Sequence, residues 1–150
     1  MDRQKRNTML LWIIALGLAN FALYTISYWY LGGDAPNGSY QDGKYYLRGH
    51  FIWSGAGKMS PPVPQAVWVY SYVHSISIWP TIAAVLVSMF ILARPHIIAT
   101  MKSDGLMRGQ TFVAVCITLI IVITAASSLF FIVDFIRALS AIAADQPYHP

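Results

Sequence analysis

His74 is the one histidine inside a long apolar stretch, Gln65 to Arg94, and so the first residue to ask for chemistry. A buried imidazole there can ligate a haem iron or the magnesium of a bacteriochlorophyll. Haem normally takes a second axial histidine at matched depth. No other apolar stretch supplies one, and His50 approaches only from a loop. Magnesium needs a single histidine, but Tyr70, one helical turn earlier, crowds the space a macrocycle would fill. The structural alternative is a histidine hydrogen-bonded to Tyr70, Ser77 or Asn20. A second pair, Asp134 and Arg137, stands three residues apart and reads as an ion pair on one helical face. Asp42, Lys44 and His50 are close in sequence, yet nothing fixes them as an acid–base set. No Ser-His-Asp order, HExxH, GxSxG or Walker loop appears, and no apolar stretch carries a mid-span carboxylate or lysine for ion transport. The expectation is a chain that is not an enzyme and holds no cofactor, with haem or bacteriochlorophyll on His74 as the alternative.

These residues must be positioned by elements that live in lipid. The chain is 57% hydrophobic and 11% charged, against about 25% charged in a soluble domain. All six acidic residues are aspartates, and the net charge of +4 comes from scattered basic residues rather than a patch. Nucleic acid is therefore not the expected partner, whereas membrane lipid is. The lone cysteine, Cys116, excludes an intramolecular disulfide.

Met9 to Tyr30 is free of charge for 22 residues, roughly 33 Å of helix, enough for a hydrocarbon core of about 30 Å. It is too long and too aromatic for the apolar core of a signal peptide, so it reads as a retained span. The sequence predicts an all-α membrane protein, one membrane domain over 1–150, with spans at 9–30, 65–93 and 110–133. Pro80 lies inside the second span and frees the carbonyl of Ile76, which Ser75 or Ser77 is placed to satisfy. Arg94-Pro95 is expected to end it, with a short interfacial helix over 96–101. The third helix should run on to about Ala144, followed by a loosely held DQPYHP tail.

Residues 31–63 form a long loop with two turn dipeptides, Asn37-Gly38 and Asp42-Gly43. Strand-like residues flank Asp42-Gly43, which predicts a short β-hairpin, with a further extended piece at 50–53. Six of the ten basic residues (Arg3, Lys5, Arg6, Arg94, Lys102, Arg108) fall on the side of the N-terminus. The positive-inside rule then places the N-terminus in the cytoplasm and the loop and C-terminus outside.

On the second helix, Tyr70, His74, Ser77 and Thr81 share one face, and Trp68, Tyr72, Ser75 and Trp79 form a stripe nearly opposite. Gly17, Asn20, Tyr24 and Ser27 share a face of the first helix; Thr124, Ser127 and Ser128 cluster on the third. The expected arrangement turns Asn20, Tyr24, Ser27, Tyr70, His74, Ser77, Thr124 and Ser128 inward as a polar-lined bundle. It turns Trp68, Tyr72 and Trp79 outward, with Tyr45, Tyr46, Phe51 and Trp53 of the loop, as a partner interface.

The segment GGDAPNGSYQDGKYYLRGH followed by AVWVYSYVHSISIWPT resembles a group of small bacterial inner-membrane proteins without an assigned activity. In these, a first span ends in a Gly-Gly-x-Ala-x-Asn-Gly turn, a Gly-x-Tyr-Tyr loop follows, and the next span opens with Tyr-Ser and a histidine. The likeness covers about residues 32–81, and GAGKMSPPVP departs from the pattern. It implies a bacterial plasma-membrane location and a unit of Asn37, Gly38, Tyr45, Tyr46, Tyr70 and His74. The functional expectation is a non-enzymatic accessory or scaffolding subunit of a larger membrane complex, respiratory or photosynthetic. The alternatives are a haem- or pigment-binding protein and a small homo-oligomeric transporter or channel.

Overall fold

A computed structural model describes residues 2–49, 59–101 and 107–150. In chain order it contains α1 (Arg3–Leu31), β1 (Asp34–Gln41), β2 (Lys44–Arg48), α2 (Gln65–Thr100) and α3 (Gly109–Ala143). His50, Phe51 and Trp53, with the extended piece expected there, lie outside the described residues. All three helices are long and apolar enough to cross a membrane. Their outer faces show the same solvent preference: Leu11, Trp12, Leu16 and Phe21 on α1, and Ile121, Val122, Leu129 and Phe130 on α3, are exposed. A surface of that kind needs lipid rather than water around it.

The helices do not close into a bundle. α2 packs on α1 along one side and on α3 along the other, while α1 and α3 share no comparable interface. The reason lies in α2, whose two stripes each take one neighbour. In the α1–α2 seam, Gly17 admits the Val85 side chain so closely that any Cβ there would overlap it. Asn20 donates to Thr81 Oγ1 at 3.0 Å and Ser77 Oγ at 3.5 Å. Small and amide-bearing residues at this spacing let two membrane helices approach and bond.

The expected stop at Arg94-Pro95 is absent: α2 runs through both Pro80 and Pro95 to Thr100. Beyond the second proline the last turn is closed by Met101 N donating to Ile97 O and Thr100 Oγ1 to the carbonyls of His96 and Ile97. The expected help for Ile76 also goes elsewhere. Ser77 Oγ donates to the His74 carbonyl and Ser75 Oγ to the Ser71 carbonyl.

The predicted hairpin forms about Asp42-Gly43, both at positive φ (51° and 72°), the geometry of a type I′ turn. Tyr40 pairs with Tyr45 and Ser39 with Tyr46. Asn37-Gly38 is not a turn; it lies in a bulged part of β1, where the register shifts between Asp34 and Ser39. Neighbouring segments cover both edges of the hairpin. Val63 N donates to Tyr45 O and Ser60 N to Leu47 O on one side, while Tyr40 and Tyr148 exchange backbone bonds on the other. The tail expected to be loose is thereby held. The hairpin lies across the ends of α2 and α3, and its core joins Ala35, Tyr40 and Leu47 to Trp68, Tyr72, Ala138 and Tyr148.

Two glycine substitutions separate close approach from turn geometry. A Cβ at Gly38 would stand 2.0 Å from Tyr46 O, whereas one at Gly43 meets nothing within 4 Å. Gly43→Ala is expected to cost about 1–2 kcal/mol of left-handed strain. Gly38→Ala should cost more, because the strands must part. Thermal unfolding in mild detergent should rank wild type above Gly43→Ala above Gly38→Ala, and the reverse order of the variants would contradict the bulge.

Candidate functional site

The polar chemistry of the described residues concentrates where the hairpin meets the helix ends. Asp134, near the end of α3, accepts the hydroxyls of both Tyr72 from α2 and Tyr148 from the tail, the latter at 2.7 Å. Asp34 opens β1 and is buried; it accepts from Tyr24 OH at 2.9 Å and Asn37 Nδ2 at 2.7 Å. Asp145 accepts from Tyr40 OH at 2.9 Å. Each carboxylate thus joins segments that are separate in the chain. At such a boundary hydroxyls and amides replace the water that a carboxylate loses on packing.

Aromatic rings pack around the Asp134 node. Trp68 lies 5.0 Å from Tyr72 and 5.8 Å from Tyr45, and Tyr72 lies 4.8 Å from Phe135. Trp68 and Tyr72 are completely buried. The outward stripe is therefore corrected: these two residues form the floor of the hairpin's docking site. Trp79 stacks on Phe131 of α3 and is half-buried. Tyr45 and Tyr46 are also half-buried, in β2.

The inward set divides as well. Asn20, Ser77 and Thr81 meet at α1, and Tyr24 and half-buried Ser27 lie nearer the hairpin. Thr124 is buried on α3 with its hydroxyl on the Ile120 carbonyl, and Ser128 is half-buried on the same helix. Tyr70 points outward, 52% exposed. In place of the Asp134–Arg137 ion pair, the carboxylate turns to the two tyrosines and Arg137 is exposed. The helical spacing allowed the pair, but α2 stands on the side that Asp134 faces.

His74 makes none of the hydrogen bonds foreseen for it. Its ring sits 5.5 Å from Tyr24, edge to face, and 5.4 Å from Tyr70. Nδ1 is buried without a hydrogen-bond partner among the described residues. No cluster of three or more metal-ligating side chains occurs among the described residues.

Sequence reasoning passed over Asp34, Tyr40, Asp145 and Tyr148. The one signal for them was compositional: three tyrosines stand in the loop and one in the tail, and every acid is the short aspartate. In the tail, burial and then the bond to Asp134 push the Tyr148 phenol from an ordinary 10.0 up to about 12. The bond to Asp145, then burial, raises Tyr40.

Comparison with models of known families, with curated proteins and with solved structures gives no match.

The Asp134 node predicts two outcomes. Tyr72→Phe and Tyr148→Phe should each lower stability by about 1–3 kcal/mol, the scale of hydrogen bonds to a charged group. Because they share one acceptor, the double variant should depart from the sum of the singles; additive losses in detergent unfolding would deny the shared node. The pH dependence has a fixed sign. The folded-state pKa of Tyr148 lies above its unfolded value, so its contribution is complete below pH 10 and is lost as pH rises through about 12. The stability advantage of wild type over Tyr148→Phe should therefore hold to pH 10 and shrink above it.

Proposed function

We propose that this protein is a non-enzymatic accessory subunit of a larger membrane assembly in the bacterial plasma membrane, with an energy-transducing complex as the host. The observation that carries this reading is the use of the cap's acids. Asp34, Asp134 and Asp145 each tie chain segments together through tyrosine hydroxyls. An acid or base for catalysis must be free to exchange its proton with substrate, and these are engaged in holding the hairpin to the helices. Among the described residues the three helices stand in a row, with α2 between its neighbours, so the alternative of a transporter or channel would need several copies of the chain.

With Trp68 and Tyr72 buried, the partner surface of this proposal moves to α1. Trp29 and Tyr30 are 82% and 89% exposed beside the hairpin. Large aromatics on a rim of this kind are suited to anchoring an interface. In the proposed orientation the hairpin and tail face outside and the basic N-terminus faces the cytoplasm.

Two measurements test the proposal. Blue-native electrophoresis of the tagged chain from mild detergent should show it in a large, discrete complex. Migration as a single 16.7 kDa chain in its detergent belt would overturn the accessory role. Reporter fusions should be active outside when placed after Pro150 and inside when placed before Met1, and the opposite result would invert the orientation.

A further inference from the structure

A groove of about 800 Å³ opens sideways from the α1–α2 seam, with Leu23, Val69 and Val73 as apolar wall and Gln65 at one end. Asn20, His74 and Ser77 supply polar groups farther along. His74 and Ser77 lie nine and twelve residues beyond Gln65, about 14 and 18 Å down the helix. Among the described residues, none that lines the groove carries a charged side chain.

His74 is the unresolved group in this setting. A neutral imidazole has one donor and one acceptor. No hydrogen bond to either ring nitrogen forms among the described residues; Nδ1 is buried, which leaves Nε2 as the nitrogen open to a partner. Leaving such a group unmatched in apolar surroundings is costly. The neighbouring hydroxyls do not relieve it, because Ser77 donates to a backbone carbonyl and Tyr24 to Asp34. Tyr70 stands beside the imidazole, 52% exposed, and lines the same groove.

We propose that this groove binds an uncharged, ring-bearing amphiphile taken from the bilayer, of the quinone class. The planar, carbonyl-bearing head lies against Tyr70 and accepts from His74 Nε2, the ring nitrogen that is not buried. The hydrocarbon tail follows Leu23, Val69 and Val73. The neutral lining selects against an anionic headgroup, which would call for lysine or arginine. The tyrosine rings flanking the imidazole favour a narrow head over a broad macrocycle. This assignment is independent of the accessory role.

The test uses the full chain in phosphatidylcholine nanodiscs with a photoreactive azido-decylquinone as probe. Labelling should saturate, map to residues 65–77 and to the Leu23 region of α1, and be displaced by excess decylubiquinone. His74→Leu should weaken binding about tenfold, the effect of one hydrogen bond. Leu23→Trp, which fills the groove and leaves His74 in place, should abolish labelling. If His74→Leu does not fold, as judged by size exclusion, Leu23→Trp decides alone. Labelling that does not saturate, that phosphatidylglycerol displaces equally well, or that survives Leu23→Trp would overturn the proposal.

Discussion

One carboxylate, Asp134, holds three parts of the chain at a single point. It binds a hydroxyl from α2 and another from the tail while itself belonging to α3. The surrounding rings of Trp68, Tyr72 and Phe135 limit its access to water, so these hydroxyls replace hydration that packing removes. The hairpin depends on this node, since its floor is Trp68 and Tyr72 and its free edge is closed by the tail residue that Asp134 fixes. An isolated two-stranded hairpin is marginal in water. Here it gains a buried apolar face and a neighbour on each edge.

The two helix seams use different chemistry because they lie between different elements. The α1–α2 seam is a contact of the Val85 side chain packed against Gly17 and an amide–hydroxyl bond at Asn20. The upper α2–α3 seam is a core of aromatic rings and one acid, as in a soluble domain. α2 belongs to both, which explains the uneven character of its sequence. Its first turns are the floor of the hairpin's docking site, and its later turns are aliphatic.

Much of the fold was legible in local pattern. Charge-free runs marked the helices, and Asp42-Gly43 between strand-forming residues marked the hairpin with its register. What stayed hidden depended on which neighbour each face meets. A helical wheel separates the Trp68 stripe from the His74 stripe but does not say that the hairpin folds over the first. Asp134 and Arg137 satisfied the spacing of an ion pair, yet tyrosines 62 residues before the acid and 14 after it took the carboxylate instead. Pro95 read as a terminator because proline removes a local bond. The loss is one bond in a helix of 36 residues, and the helix continues to Thr100, where Met101 and Thr100 close its last turn.

The bond between Tyr40 and Tyr148 closes a gap of 108 positions in the chain. During synthesis the hairpin leaves the ribosome long before its edge partner exists. Two further helices, α2 and α3, must be made before Tyr148 reaches the hairpin. Pairings so distant in sequence form slowly, and until this one forms, β1 presents an open edge and Trp68 lacks part of its cover. The cap therefore completes only once the tail beyond α3 has been made and has folded back onto the hairpin.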